Sequence, residues 1–347
     1  MITLGVFPTL KRSSKLKHLT FHKELNETLN GIVQYQDFGH LLFYGPPGGG
    51  RRTRIRCILK EIYGDQVSSI KIEKRELAPP TGKKFSYNII TSNCHVELTP
   101  SELGSSDKHV VQHVIKEMAQ SKQLNESKQK SFKVVVIFEA DRLSKEAQHA
   151  LRRTMEKYSV NCRIIMCVEC LGRIIDPLRS RCLAIRVPSP SDEEICEALR
   201  EAASMERNSC ITDEHIQMCV EKANGNMRTA LIELQMIIQQ KGDKNVRPQS
   251  YVQLIKDIAY NIATKQNKSS ILECRKKFNE LLTRCIPPKL IFQKLVSELT
   301  LITPENVHTK IWDIAVNSET RCLSGSKPIF HLEAFVAYAM AEIYESK

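Results

Sequence analysis

The sequence predicts an α/β domain with a parallel sheet, followed by a helical lid and an all-α C-terminal domain. Three observations support this fold class. A glycine-rich segment at 45–50 follows the apolar run 40–44, a second apolar run at 132–138 ends in acidic residues, and strand-like segments stop near residue 187. Strands that alternate with helical stretches favour βαβ units and a parallel sheet. The 347 residues are enough for two or three domains with their own cores.

The glycine-rich segment has the strand–loop–helix setting of a phosphate-binding loop, which reads Gly, four residues, Gly, Lys and then Ser or Thr. Gly45 and Gly50 fit this frame, but Arg51 stands in the Lys position and Arg52 in the Ser/Thr position. A planar guanidinium is not equivalent to the compact Lys ammonium, and it cannot ligate Mg²⁺ as a hydroxyl does. The candidate nucleotide-binding residues are Gly45, Pro46, Pro47, Gly48, Gly49, Gly50, Arg51, Arg52 and Thr53.

The second apolar run shows a similar loss. In ATPases of this design the strand ends in a metal-holding Asp, followed by a Glu that polarises the attacking water. Here Phe138 occupies the metal position, and Glu139 remains as a vestigial catalytic residue. We therefore expect no metal site, and weak or absent hydrolysis. Backbone amides and the helix dipole can still hold ATP or ADP, even without Mg²⁺. The alternative is a glycine-rich turn that binds nothing.

The remaining elements follow from local patterns. The predicted strands are 40–44, 68–73, 87–92, 132–138, 163–168 and 183–187. A Pro/Ser break at 187–191 and a polar linker at 241–248 punctuate the chain. The predicted domains are a P-loop domain at 1–186, a helical lid at 187–245 and a helical collar at 246–347. In the collar, the predicted helices are 249–264, 267–284, 288–301 and 328–345.

An insertion at 71–93 combines a Pro-Pro-Thr-Gly turn with strand-like arms. The basic residues Lys83 and Lys84 lie beside Phe85 and Tyr87, an arrangement that suits a ribbon in contact with nucleic acid. A solvated loop explains the same residues equally well.

Composition narrows the class of protein. With 51 basic and 39 acidic residues the net charge is +12, which suits a partner with a phosphate backbone. No apolar run is long enough for a membrane span, and we expect no membrane partner. Twelve scattered cysteines without a secretory signal predict a reduced, intracellular protein. Among them, Cys162, Cys167, Cys170 and Cys182 fit either buried core thiols or a zinc or iron–sulfur site.

Several motifs together resemble a known family. The segment 40–48 resembles the P-loop strand of AAA+ clamp-loader subunits, and 148–158 resembles a signature helix of the small subunits of replication factor C. The segment Ser180-Arg181-Cys182 is similar to their arginine-finger motif. Segments 286–288 and 331–335 resemble the C-terminal collar of one branch, numbered 3 in animals and 5 in budding yeast, whose own ATP site is degenerate.

The resemblance implies roles for single residues. Arg181 would act in trans as an arginine finger on a neighbour's ATP, and Arg228 would reach nucleotide from the lid. Lys108, at the start of a helix, would contact DNA, and so would the 71–93 hairpin through Lys83 and Lys84. Each has a plainer alternative: a surface Arg paired with a carboxylate such as Asp176, a surface helix charge, an ordinary capped helix or a solvated loop.

Two departures from the family stand out. Glu169 replaces a polar Asn that senses the γ-phosphate, and its charge would oppose a phosphate. Residues 6–12 differ from the family's opening motif, which supports the nucleotide base. Either the chain has an unusual start here, or the base pocket is remade.

The resemblance implies a subunit of the hetero-pentameric replication factor C clamp loader. It would work in the nucleus with the other subunits, the sliding clamp (proliferating cell nuclear antigen) and primer-template DNA, in DNA replication and repair. The alternative is an active DNA-dependent AAA+ ATPase or helicase-like motor with an unusual P-loop.

Overall fold

The computed structural model describes most of the chain. The described residues are 16, 19–34, 38–77, 84–100, 106–120, 132–205, 211–239 and 250–345. The chain divides into two compact units, residues 1–244 and 245–347. The finer division into three domains stays a prediction.

A seven-stranded sheet organises the first unit, in the order β2-β3-β4-β5-β6-β1-β7. Its strands are β1 (His40–Tyr44), β2 (Lys71–Leu77), β3 (Phe85–Thr91), β4 (His95–Leu98), β5 (Lys133–Phe138), β6 (Cys162–Val168) and β7 (Cys182–Arg186). The five strands from β4 to β7 are parallel, as predicted. The hairpin β2–β3 adds two antiparallel strands at one edge, so the sheet is mixed. The sequence analysis missed β4, because four residues that include His95 and Glu97 carry little strand pattern.

Helices cover the sheet and continue beyond it in the first unit. They are α1 (Lys23–Gln34), α2 (Arg51–Tyr63), α3 (Asp107–Gln120), α4 (Lys145–Lys157), α5 (Asp176–Arg179), α6 (Asp192–Met205), α7 (Asp213–Ala223) and α8 (Met227–Gln239). The apolar side chains of α3, α4 and the central strands form one buried cluster. Strand β5 is buried along almost its whole length, as expected for a parallel strand covered on both faces.

The second unit is all helical, as predicted. Its helices are α9 (Ser250–Thr264), α10 (Lys268–Thr283), α11 (Pro288–Ile302), α12 (Glu305–Ser324) and α13 (Pro328–Glu345). Helix α12 is absent from the predicted set. Its buried positions, Val307, Ile311, Ala315 and Ser318, form a stripe too narrow to stand out among its polar residues. No helix among the described residues is long and apolar enough to cross a membrane.

The sheet register brings the predicted site residues together. Phe43 pairs with Cys167, and Cys167 pairs with Phe138, so these residues form one row across β1, β6 and β5. The residues just beyond that row lie at the carboxyl ends of three adjacent parallel strands. In open α/β sheets ligands bind at this edge.

Candidate functional site

The glycine-rich loop adopts the conformation that the sequence predicts. It joins β1 to α2, and its backbone is too crowded for side chains: a Cβ on Gly45 would lie 2.0 Å from the Val187 carbonyl oxygen, and one on Gly48 would lie 1.9 Å from Asn226 Oδ1. Both glycines have positive φ. The N-terminus of α2 therefore faces the loop, which is the arrangement that binds phosphate through backbone N–H groups.

The Lys position of the loop is filled by an arginine that is already paired. The Arg51 guanidinium donates to the Val168 carbonyl oxygen at the end of β6. Its Nη2 lies 3.3 Å from Glu169 Oε1, and its side chain is only 9% exposed. Glu169 is thus the partner of the arginine that stands in the Lys position of the P-loop pattern.

Arg52, which stands where the loop pattern has a Mg²⁺-ligating Ser or Thr, is also paired with an acidic residue. Arg52 Nη2 lies 3.3 Å from Glu139 Oε1, and the Arg52 guanidinium carbon lies 4.5 Å from the centre of the Phe138 ring. Glu139 also pairs with Arg142 Nε at 3.3 Å. The Arg52 guanidinium therefore contacts both Phe138 and Glu139. Thr53 lies half-buried in α2, one position beyond the hydroxyl site.

These pairs define what the site can do chemically. Neither Arg52 nor Phe138 can ligate a cation, and two guanidiniums stand where a Lys and a metal ion would stand. Among the described residues, no group of three or more His, Cys, Asp or Glu is arranged to hold a metal ion. The site retains the amides and positive charge that attract an anion, and its remaining acidic residue, Glu139, is paired with Arg52 and Arg142.

The four clustered cysteines do not act as one group. Cys162 and Cys167 are buried core thiols, Cys182 is half-buried and Cys170 is exposed. Burial raises the pKa of Cys167 to about 11 and that of Cys162 to about 12. Both thiols therefore stay protonated near neutral pH, as expected for core residues.

A buried arginine that the sequence analysis missed supports the loop from behind. Arg54 is fully buried. It donates to the Gly49 carbonyl oxygen at 2.9 Å, to Asn26 Oδ1 at 3.1 Å and to the Phe21 carbonyl oxygen at 3.1 Å. The sequence carries one indication of this role. Arg54 follows Arg51 by three residues, which places it on the inward side of α2. Arg54 thus links the loop to the segment before α1.

Lid residues also reach the loop. Asn226 Oδ1 accepts the backbone N–H groups of Arg228 and Thr229, at 3.1 and 3.3 Å, and so caps α8 beside Gly48. The Arg228 side chain is exposed in the first turn of that helix. Its predicted contact with nucleotide stays a prediction.

Arg181 lies just before β7 and is partly exposed. Its Nε and Nη2 each lie 2.6 Å from Glu156 Oε1, on α4. Asp176, the carboxylate suggested as its partner, pairs instead with Arg179 at 3.0 Å. The plainer alternative of an Arg paired with a carboxylate is therefore present in the structure, but the carboxylate is Glu156 and not Asp176. Asp176 and Arg179 lie one turn apart on α5 and face each other.

The residues predicted to contact DNA differ in their exposure and in their contacts. Lys108, at the start of α3, is 40% exposed, and its Nζ lies 3.4 Å from Glu146 Oε2. Asp107 accepts the Ser144 backbone N–H at 2.7 Å, so it also ties α3 to the start of α4. Lys84 is exposed, and Lys83 lies outside the described residues.

The insertion forms a hairpin, β2–β3, as predicted. The expectation that its aromatic residues face nucleic acid was wrong for Tyr87, which is 5% exposed and packs into the core, with Phe85 beside it. Alternation along β3 turns these two side chains to the helix-covered face. The residues of the hairpin that are available to contact nucleic acid are therefore its exposed charged side chains.

The mixed sheet with its parallel core and the P-loop at the carboxyl end of β1 define a domain of the AAA+ class. The C-terminal unit matches the family model of the replication factor C subunit 3 C-terminal domain over residues 251–347. Residues 22–191 match that of the DNA polymerase III delta subunit.

Whole-chain relatives give the family. Replication factor C subunit 3 of Mus musculus is 42% identical over 334 residues, 95% of this chain and 94% of that one. Replication factor C subunit 5 of Neurospora crassa is 41% identical over 333 residues, 95% of this chain and 94% of that one. A RuvB variant of Thermotoga maritima resembles the fold with a TM-score of 0.49 and 16% identity, over 71% of this chain and 78% of that chain. The chain belongs to the subunit 3/5 family of replication factor C, the small subunits of the clamp loader.

Proposed function

We propose that this clamp-loader subunit binds ATP or ADP without hydrolysing it and contributes Arg181 to a neighbouring subunit's ATP. The proposal that the chain does not hydrolyse its nucleotide rests on two arginine–glutamate pairs at the loop. Arg51 pairs with Glu169, and Arg52 pairs with Glu139 beside Phe138. Both arginines of the loop are therefore paired with a glutamate of the same chain, and Phe138 contributes an uncharged ring beside Arg52.

Nucleotide binding at this site needs no metal ion. In an active P-loop, Mg²⁺ neutralises charge on the β- and γ-phosphate oxygens. Here the Arg52 guanidinium, 39% exposed, offers fixed positive charge next to the loop amides. A phosphate group then competes with Glu139 for Arg52. Hydrolysis fails because no ligand holds Mg²⁺ and because the oxygens of Glu139 already contact Arg52 and Arg142.

The partners follow from the family and from surface charge. We infer that the subunit sits in a hetero-pentameric ring with the other replication factor C subunits, in the nucleus, and helps to load the sliding clamp onto primer-template DNA for replication and repair. The net charge of +12 and the exposed Lys84 and Lys108 support a DNA partner. The alternative of an active DNA-dependent motor has no supporting contact at the site.

Two measurements on the purified chain test the nucleotide site. The first is ATP turnover with primed DNA, for which we expect no rate above background. The second is binding of labelled ADP and ATP with Mg²⁺ and with EDTA, for which we expect dissociation constants within about tenfold of each other. A tenfold change corresponds to about 1.4 kcal/mol, far less than the loss of a required metal ion.

Matched variants make the binding test specific. Arg52→Ala removes the proposed substitute for the metal, whereas Arg142→Ala removes the other partner of Glu139 and leaves Arg52 in place. We expect Arg52→Ala to weaken binding in EDTA and Arg142→Ala to leave it near the wild-type value. Robust DNA-stimulated turnover, or binding that disappears in EDTA, would contradict the proposal.

A further inference from the structure

The guanidinium of Arg181 is held in place by contacts on two of its sides. On one side, Nε and Nη2 each lie 2.6 Å from Glu156 Oε1. On the other, Nη1 donates to the Pro177 carbonyl oxygen at 2.8 Å and lies 3.4 Å from Ser180 Oγ. Pro177 and Ser180 belong to the same short segment as Arg181. Glu156 is the contact from a different element.

These contacts use part of the hydrogen-bonding capacity of the guanidinium. The group is planar, with five N–H donors in a fixed fork. Glu156 contacts Nε and Nη2, and Pro177 and Ser180 contact Nη1. The side chain is 37% exposed, so the guanidinium remains accessible to a further partner such as a phosphate.

Glu156 is well placed to fix the orientation of the Arg181 guanidinium. Its neighbours on α4, Met155 and Leu151, are buried in the core of the first unit. The start of α4 is capped by Ser144, whose Oγ accepts the Ala147 backbone N–H at 3.1 Å. Glu156 therefore projects from a helix whose neighbouring residues are fixed in the core, whereas an arginine on a segment end has many rotamers to choose from.

The pair has little reason to exist for stability alone. Both side chains are partly exposed, at 37% and 49%, and ion pairs of this kind contribute little to folding. A one-ångström error in the position of a catalytic group, in contrast, can cost about 100-fold in rate. The value of the contact lies in where it directs the guanidinium.

We infer that Glu156 is a positioning residue, which holds the Arg181 guanidinium in the orientation that it needs to reach the neighbouring subunit's nucleotide. This inference rests on the proposed trans role of Arg181. It adds that α4 and the arginine work as one unit, so that a movement of α4 would move the guanidinium with it.

The test uses the reconstituted five-subunit complex with clamp and primer-template DNA. The variants are Glu156→Ala, Glu156→Gln, Arg181→Ala and the double variant, with Asp176→Asn as the matched control. Asp176 belongs to the adjacent Asp176–Arg179 pair and does not touch Arg181. For each complex, kcat and KM for ATP are measured, together with the melting temperature.

We expect Arg181→Ala to give the largest fall in kcat, since a finger arginine accounts for about 10³–10⁵ in rate at its site. Glu156→Ala should lower kcat about tenfold or more, with KM within twofold and an unchanged melting temperature. Glu156→Gln keeps an acceptor oxygen and should recover part of the rate. The double variant should match Arg181→Ala, because a residue that acts only through another adds nothing once that other is gone.

The outcomes separate the two proposals. If Arg181→Ala matches wild type, the trans role is wrong and the positioning role falls with it. If Arg181→Ala lowers kcat but Glu156→Ala does not, the finger stands and Glu156 does not position it. A double variant clearly slower than Arg181→Ala, or a Glu156→Ala complex faster than wild type, would also overturn the inference.

Discussion

Replacement of Arg54 by methionine tests how the phosphate-binding loop is held. Methionine has a similar length but no donor, so three hydrogen bonds are lost. The Gly49 carbonyl oxygen and Asn26 Oδ1 lose the Arg54 donor, whereas the Phe21 carbonyl oxygen keeps its bond from Asn26 Nδ2. Because Arg54 is fully buried, water cannot replace it. We expect the loop and the segment before α1 to loosen together.

The magnitude follows from two opposing effects. Each hydrogen bond from a charged donor is worth about 1.5–3 kcal/mol, so three such bonds contribute roughly 5–9 kcal/mol. Burial lowers the pKa of Arg54 from 12.5 to about 10. Keeping the charge inside therefore costs roughly 3 kcal/mol, at about 1.4 kcal/mol per pH unit. The net loss is about 2–6 kcal/mol.

The assay is urea unfolding of the full chain. Circular dichroism follows both units, and the fluorescence of Trp312, the chain's single tryptophan, follows the second unit. Arg54→Met should lower the midpoint of the first unit and leave the fluorescence midpoint unchanged. The control is Lys60→Met on the same helix, which removes an exposed pair with Asp65 and should cost less than about 1 kcal/mol. A loss below about 1 kcal/mol for Arg54→Met would refute the reasoning.

Three further predictions concern the lid, the loop and DNA. Burial raises the pKa of Glu194, but backbone N–H donors outweigh it and hold that pKa below 4.5. The stabilisation is therefore present above pH 4.5 and lost as the pH falls through the lower folded value. Glu194→Gln should lower the melting temperature most near neutral pH, and the difference from wild type should shrink as the pH falls below 4.5. Gly48→Ala should displace Asn226 and weaken nucleotide binding at least tenfold, measured as the dissociation constant of ADP, and wild-type binding would contradict the described contact. Lys108→Ala and Lys84→Ala, each in the assembled ring, should reduce the slope of log K against log salt by about 0.9 per lost phosphate contact, and an unchanged slope would mark that lysine as solvated surface.

Local spacing was enough to predict much of this protein. The loop from Gly45 to Gly50 could be found because a phosphate-binding turn needs glycines at fixed offsets between a strand and a helix. The strand at 132–138 was equally visible, since a parallel strand buried on both faces is apolar throughout. The absence of Mg²⁺ ligands at Arg52 and Phe138 also followed from the sequence alone, because identity at those positions decides ligation.

The tertiary structure alone decided which charges meet. Arg51 and Glu169 are 118 residues apart, and Arg52 and Glu139 are 87 apart. No local pattern joins such residues; they meet because the sheet order places the ends of β1, β6 and β5 side by side. The sequence by itself therefore determined which residue types stand in the loop and at the end of β5. Long-range packing decided that Arg51 and Arg52 pair with Glu169 and Glu139, because only chain topology sets distances between residues so far apart.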